Sequence, residues 1–307
     1  MTAKTEDSLG ELKMNLGKKD KKKAVPEKSK ERLEILEEIE RLEREGKFDV
    51  DPEKDPPTIT LLPEDVDYLK EKRSTRVKNK LANKVGMKFL DELLRTNKLI
   101  IREVNGLEHM NEVEGGAILT CNHFNPFDCF TMEKVFRMTE HHKEKTLYKV
   151  IREGNYTNFP GLYGFFFRHC DTLPLSSNMK TMVEFMKAVN TVLQEGDWIL
   201  IYPEQSLWWN YKKPKPLKNG AFKFAAHNQV PVIPTFITMT DSDKIGPDGF
   251  PVQEYIVNIG EPIYPDSEKK ERENAEAMRD KNYEVWKKVY EDFYGMPLVY
   301  TTEQKDA

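Results

Sequence analysis

The chain has 307 residues, 38% of them hydrophobic and 33% charged, with a formal net charge of −4. That apolar content can bury a core, and the slight acidic excess argues against a nucleic-acid partner. No run of about 18 apolar residues occurs, so no transmembrane helix is expected, and the N-terminus lacks the apolar segment of a signal peptide. The three cysteines, Cys121, Cys129 and Cys170, have no metal-ligand spacing, and their odd number argues against a disulfide framework. A reducing, cytoplasmic setting with thiols serving as small hydrophobes follows.

Residues 1–28 are polar and lysine-rich, with the block Lys18-Lys19-Asp20-Lys21-Lys22-Lys23. They read as a disordered tail or as an electrostatic membrane tether. A helix follows from Ser29, a plausible cap, with Leu33, Leu36, Ile39 and Leu42 recurring every three residues until Gly46. So narrow a stripe suits a coiled-coil-like contact or a solvated arm. Residues 48–63 hold Asp51-Pro52, Asp55-Pro56-Pro57 and Leu62-Pro63, which forbid continuous helix and make a semi-extended spacer. The boundary placed there divides the chain into residues 1–63 (tail, charged helix, linker), 64–98 (basic amphipathic helices) and 99–307 (an α/β domain).

Within residues 64–97, Leu81, Val85, Phe89 and Leu93 share a face at i, i+4, i+8 and i+12. Lys70, Lys72, Arg73, Arg76, Lys78, Lys80, Lys84 and Lys88 crowd the remainder. Such a helix can lie on an anionic bilayer or dock its stripe on the core.

Strands are predicted over 99–104, 117–120, 147–151, 197–204, 232–238 and 254–259, and helices over 129–138, 178–195, 220–227 and 267–293. Asn105-Gly106 reads as a turn, and residues 241–251 as a turn-rich excursion. The alternation predicts an α/β fold, a mostly parallel mixed sheet flanked by helices, with an N-terminal helical, partly disordered extension. The most apolar window, residues 159–167, suits buried core, the wall of a long apolar pocket or an interfacial wedge, and Arg168 closes it.

The chemistry concentrates at Asn122-His123-Phe124-Asn125-Pro126-Phe127-Asp128, where a strand ends and Asn125-Pro126 opens a helix. Ligands bind at such strand ends in α/β sheets. A carboxylate accepting the Nδ1–H of the imidazole leaves Nε2 free to take a proton. With no side-chain nucleophile evident beside it, the pair suits direct attack by a substrate hydroxyl, His123 acting as general base. The same spacing also fits a satisfied turn histidine and a carboxylate favoured by the helix dipole.

Asn122-His123-x4-Asp128, Tyr202-Pro203-Glu204-Gln205-Ser206, Lys218-Asn219-Gly220-Ala221-Phe222 and Val230-Pro231-Val232-Ile233-Pro234 occur in this order. Together they resemble the glycerolipid acyltransferase family, of the lysophosphatidate acyltransferase type, over residues 99–265. The resemblance implies a peripheral membrane enzyme on the cytoplasmic, inner face. It implies His123 as base, Asp128 as its orienter and Asn122 in support. Acyl-CoA or acyl carrier protein is the implied co-substrate, and no bound cofactor or metal is required. It implies Glu204 as an acceptor ligand, with Ser206, Arg168, Lys218 and Gly220 as further acceptor-binding positions. Two departures bear on the acceptor. The family's Gly-Thr-Arg is Gln205-Ser206-Leu207, and Ser177 stands where a second arginine is expected. Arginine forks grip phosphate bidentately and a hydroxyl does not replace them. Either basic residues around Lys218 or Arg168 supply the charge, or the acceptor has no phosphomonoester. A lipid-binding protein on this fold is the non-enzymatic alternative.

Overall fold

The structure, a computed structural model, describes residues 26–53 and 58–302. The lysine-rich N-terminal block therefore lies outside the described residues. Among those described, the order is α1 (Lys30–Arg44), α2 (Arg73–Arg95), β1 (Ile100–Asn105), α3 (Leu107–Asn111), β2 (Ala117–Cys121), α4 (Asp128–Phe136), β3 (Leu147–Ile151), α5 (Glu153–Asn158), α6 (Gly161–His169), β4 (Thr172–Pro174), α7 (Met179–Gln194), β5 (Trp198–Ile201), α8 (Gly220–Asn228), β6 (Val232–Ile245), β7 (Pro251–Ile259) and α9 (Glu271–Tyr294). No helix among them is long and apolar enough to cross a membrane.

The strands form one seven-stranded sheet in the order β1-β7-β6-β2-β5-β3-β4. Every neighbouring pair is parallel except β6 with β7. The mixed, mostly parallel sheet agrees with the alternation of elements in the sequence. β6 runs on to Ile245 and pairs with β7, so much of the expected excursion at 241–251 is a hairpin arm. Side chains alternate across a strand. Ala117, Leu119 and Cys121 of β2 thus face a core with Leu90 and Leu93 of α2 and Met132 and Val135 of α4. Ile118 points the other way, into a core with Phe185 and Val189 of α7, Ala225 of α8 and Met278 of α9. Burial of each large apolar side chain contributes about 1.5–3 kcal/mol, and β2, buried along its whole length, is the axis of both cores.

Three N-terminal features differ from the sequence reading. The core-facing positions of α2 are Ala82, Gly86, Leu90 and Leu93, while Leu81 is 53% exposed. Each i+4 step on a helix advances about 40° beyond a full turn, so a stripe of three such steps rotates by about 120° and cannot stay on one face. Lys70 and Lys72 precede the helix, and Asp67 accepts the Glu71 and Lys72 backbone N–H groups there. Lastly, α1 is neither a solvated arm nor a free coiled-coil partner. Its Ile35, Ile39 and Leu42 pack on Trp208 and Trp209.

Gly106 is the N-cap of α3 with φ 79°, and a Cβ there would meet the Ile259 carbonyl oxygen at 2.1 Å. The turn expected at Asn105-Gly106 is thus a glycine-dependent entry into a short helix that sequence periodicity did not reveal.

Candidate functional site

The parallel pairing of β2 with β5 matches Thr120 with Ile201, so the residues that follow each strand emerge side by side at one edge of the sheet. After β2 the chain turns sharply. Asn125 Oδ1 accepts the Phe127 N–H at 3.0 Å and its carbonyl accepts the Asp128 N–H at 3.0 Å. Pro126 lies within this turn, and α4 begins two residues later at Asp128. The turn folds Asp128 back onto His123, and Nδ1 donates to Asp128 Oδ2 at 2.7 Å. Chemistry assigns the proton to Nδ1, because its partner is a carboxylate. Nε2 has no protein partner among the described residues, and His123 is 23% exposed on its side chain whereas Asp128 is 1% exposed.

Asp128 is held from several directions. Its Oδ2 also faces the Phe124 and Asn125 N–H groups at 3.3 and 3.4 Å. Tyr202, which directly follows β5, donates its hydroxyl to Oδ1 at 2.8 Å. The Tyr202 ring stacks on the imidazole with centroids 4.1 Å apart and planes at 22°. Burial pushes the Tyr202 phenol well above its ordinary range, so it remains a donor. Burial likewise pushes the Cys129 thiol up to about 12 and raises that of Cys121, which keeps both as thiols beside the dyad.

The backbone of His123 is clamped at both polar groups. Its N–H donates to Glu204 Oε2 at 2.9 Å. Its carbonyl accepts the Trp208 N–H at 3.2 Å and lies 3.4 Å from Lys215 Nζ. Glu204 Oε1 accepts the Lys215 N–H at 2.8 Å, and Lys215 Nζ sits 3.3 Å from Oε2 and donates to the Ser206 carbonyl at 2.8 Å. Glu204 and Lys215 are 2% and 1% exposed, so this is an internal ion pair. Burial depresses the affinity of Lys215 for its proton, opposed by the neighbouring Glu204 carboxylate.

The remaining expected site residues are dispersed. Asn122 pairs with the Ile237 backbone in both directions, donating to its carbonyl at 3.0 Å and accepting its N–H at 2.8 Å, which joins the turn to β6. Ser206 is buried and donates to the Phe48 carbonyl at 2.6 Å. Lys218 Nζ meets Asp49 at 2.8 Å, with both side chains about half exposed. Gly220 is the first residue of α8, with open space where a Cβ would stand. Arg168 donates to the Tyr156 and Phe159 carbonyls, both at 3.1 Å, and lines a cavity of about 230 Å³ whose walls include Lys72, Lys78 and His169 but not the dyad. Ser177, the second arginine position, donates its N–H to Glu153 at 3.1 Å.

Residues 48–51 of the expected spacer take part in the same construction, while its Asp55-Pro56-Pro57 lies outside the described residues. Leu207 N–H donates to Asp51 at 2.8 Å, Trp208 Nε1 to the Val50 carbonyl at 2.8 Å, and Arg152 pairs with Asp51. Tyr202 and Lys215 were legible only as a motif letter and as one member of a basic loop. Asp128 lies 74 positions from Tyr202 and His123 lies 92 from Lys215, and no local pattern carries either contact with the dyad segment.

Phe89 of α2 contacts Phe127, Phe130, Tyr163 and Phe166 at centroid distances of 6.4, 5.4, 5.9 and 5.8 Å. The apolar window at 159–167 thus forms much of α6, half-buried, and its Phe166 ring also lies 6.2 Å from Phe130 of α4. Three or more potential metal ligands do not cluster anywhere among the described residues.

Residues 101–238 match a family model described as Acyltransferase. No curated protein matches the chain significantly. Among solved structures, the fold is similar to that of the 1-acyl-sn-glycerophosphate (LPA) acyltransferase PlsC from Thermotoga maritima, with a TM-score of 0.52 and 19% identity over 76% of this chain and 87% of that one.

Proposed function

We propose that this chain, whose residues 101–238 match the Acyltransferase family model, is an acyltransferase that moves a fatty acyl group from a thioester to a hydroxyl of a glycerolipid. The observation that carries the proposal is the His123–Asp128 pair, bonded through Nδ1 and leaving Nε2 without a protein partner among the described residues. Nε2 takes the proton of the acceptor hydroxyl as its oxygen attacks the thioester carbonyl. The tetrahedral adduct collapses, the C–S bond breaks, and the imidazolium returns the proton to the departing thiolate of coenzyme A or acyl carrier protein. Asp128 fixes the tautomer and stabilises the imidazolium. The aromatic cluster around Phe89 supplies an apolar surface suited to the acyl chain. No metal or bound organic cofactor is required by this chemistry.

The default acceptor is 1-acyl-glycerol-3-phosphate, from the family resemblance and from what the Thermotoga maritima enzyme is named for. A second acceptor class, one without a phosphomonoester, is supported by the pairing of the available cations. Lys218 faces Asp49, Lys215 faces Glu204, Arg168 donates through Nη1 to two carbonyl groups, and Ser177 stands beside the Glu153 carboxylate. A phosphate would have to displace these partners.

Attachment to the cytoplasmic face of a membrane is proposed through α2. Its exposed side carries Arg73, Arg76, Lys80, Lys84 and Lys88 around exposed Val77 and Leu81. Cationic side chains with apolar neighbours suit an anionic lipid surface.

The test is acyl transfer from labelled palmitoyl-CoA and, in parallel, palmitoyl carrier protein to a mixed pool of lysolipids and glycerol 3-phosphate, with mass detection. Product from the wild type and none from His123→Ala is expected. Equal product from both proteins refutes the general-base assignment, and no product from either refutes acyl transfer to this pool.

A further inference from the structure

We infer that Tyr202 is a third member of the dyad, a positioning residue whose hydroxyl sets how strongly Asp128 supports the imidazole; the inference rests on the acyl-transfer proposal above. The geometry is specific. Tyr202 leaves β5 where β2 leaves the same sheet edge, its hydroxyl donates to Asp128 Oδ1 at 2.8 Å, and His123 uses the other oxygen at 2.7 Å. One carboxylate is therefore shared between two side-chain donors, while the tyrosine ring stacks on the imidazole it indirectly governs. Among the described residues, His123 and Tyr202 are the side-chain donors to Asp128.

A carboxylate stabilises a neighbouring cation less when part of its charge is already taken up by another hydrogen bond. With Tyr202 in place, the imidazolium is supported by a partly neutralised partner. It releases its proton more readily, and the neutral base needed for attack on the thioester is present to lower pH. The other ionisable groups around the pair are Cys121, Cys129 and Tyr255, all held protonated by burial, and the Glu204–Lys215 ion pair. Deleting the hydroxyl leaves Asp128 in place, because the Phe124 and Asn125 N–H groups still face Oδ2. The carboxylate is then freer to stabilise positive charge on His123, and proton release moves to higher pH.

Tyr202→Phe removes the hydroxyl and keeps the stacked ring. Two readouts separate this inference from the acyltransferase proposal. The first needs no substrate: the imidazole of His123 is titrated by NMR, with the His123→Ala spectrum identifying its signal among the six histidines. The expected result is an upward shift of its midpoint on the order of half a pH unit in Tyr202→Phe. The second is the pH profile of transfer, where the acidic limb moves up by the same amount and kcat below that limb falls about threefold with acceptor KM unchanged. An unchanged NMR midpoint in a folded variant overturns the inference, as does a loss that appears in KM alone. If the midpoint shifts but neither protein transfers acyl groups, the role of Tyr202 on the dyad stands and the enzymatic proposal falls.

Discussion

Replacing Lys215 with Met tests whether the buried ion pair serves the backbone of His123 or the substrate. Lys215 is 1% exposed and cannot touch an acceptor, so every effect of its removal passes through the protein. The substitution keeps most of the aliphatic volume beside Trp208 but deletes the ammonium, its bond to the Ser206 carbonyl and its approach to the His123 carbonyl. Glu204 is left in the interior without its cation, with two backbone N–H partners. Breaking a buried pair from one side costs about 3–5 kcal/mol. The two surviving N–H bonds place the expected loss towards the lower end of that range. Displacing the loop by as little as about 1 Å would misplace the imidazole, for which a fall in kcat of about 100-fold is the scale. Acceptor KM should hardly move.

The assay is denaturant unfolding together with steady-state transfer, run on Lys215→Met, Glu204→Gln and the double variant. In Glu204→Gln one amide oxygen cannot satisfy both backbone N–H groups, and its NH2 faces a donor, so that variant should also lose stability. The double variant should lose less than the two single losses combined, because neither leaves a buried charge behind. A Lys215→Met protein with wild-type stability and wild-type kcat would refute the clamp. So would a Glu204→Gln protein of full stability in which only acceptor KM rises, since that pattern belongs to a carboxylate that reaches the substrate.

Three other outcomes are expected. Glutamate at Lys80, Lys84 and Lys88 together should weaken sedimentation with anionic vesicles at low salt while leaving neutral vesicles unaffected; no change would remove α2 as the attachment surface. Gln205 holds φ 67° where the family has glycine, so Gln205→Gly should leave stability unchanged or raise it by up to about 1 kcal/mol in thermal unfolding. Burial opposes ionisation of Asp171, but the Lys70 and Lys149 charges outweigh it and hold the carboxyl below its ordinary value of 3.8. That support is complete above the unfolded titration and is lost as pH falls through the lower folded one. Asp171→Asn should therefore lower the neutral-pH Tm and flatten the loss of Tm as pH falls below about 4.

The elements that a periodic pattern specifies were legible in the sequence. The strand Leu147–Ile151 falls where residues 147–151 predict it, and the helix Met179–Gln194 follows its stripe, with Asn178 accepting the Lys180 and Thr181 N–H groups as its cap. Short elements were not legible: α3 and α5 have five and six residues, too few turns for a face to repeat. At the site, the proximity of His123 and Asp128 follows from one turn and can be anticipated locally. The fate of Glu204, Ser206 and Lys218 could not be, because their partners come from residues 48–49, 123 and 215, brought together only by the sheet and the N-terminal segment. Polar residues in a motif look alike in sequence whether they face a substrate or a backbone amide. Burial distinguishes them, and burial is a property of the whole fold.

The loop between β5 and α8 is enclosed by segments from both sides of the stretch that matches the family. From the N-terminal side come the Phe48 and Val50 carbonyls, Asp51, and the α1 stripe that covers Trp208 and Trp209. From the C-terminal side, Tyr300 donates to the Pro214 carbonyl at 2.5 Å, and the Thr301 N–H donates to Glu43, which also holds Lys213. A loop gripped in this way has few arrangements open to it, and the ordering of its backbone is supported by contacts made before any substrate arrives. Since the same loop supplies Glu204, Trp208 and Lys215 to the backbone of His123, the placement of the proposed base depends on residues outside 101–238. Truncation ahead of residue 54 should therefore do more than remove a tether. It should expose two tryptophans, shift their emission to the red and reduce transfer even with soluble acceptors. A truncated protein with unshifted emission and full turnover would show instead that the loop orders itself without its cover.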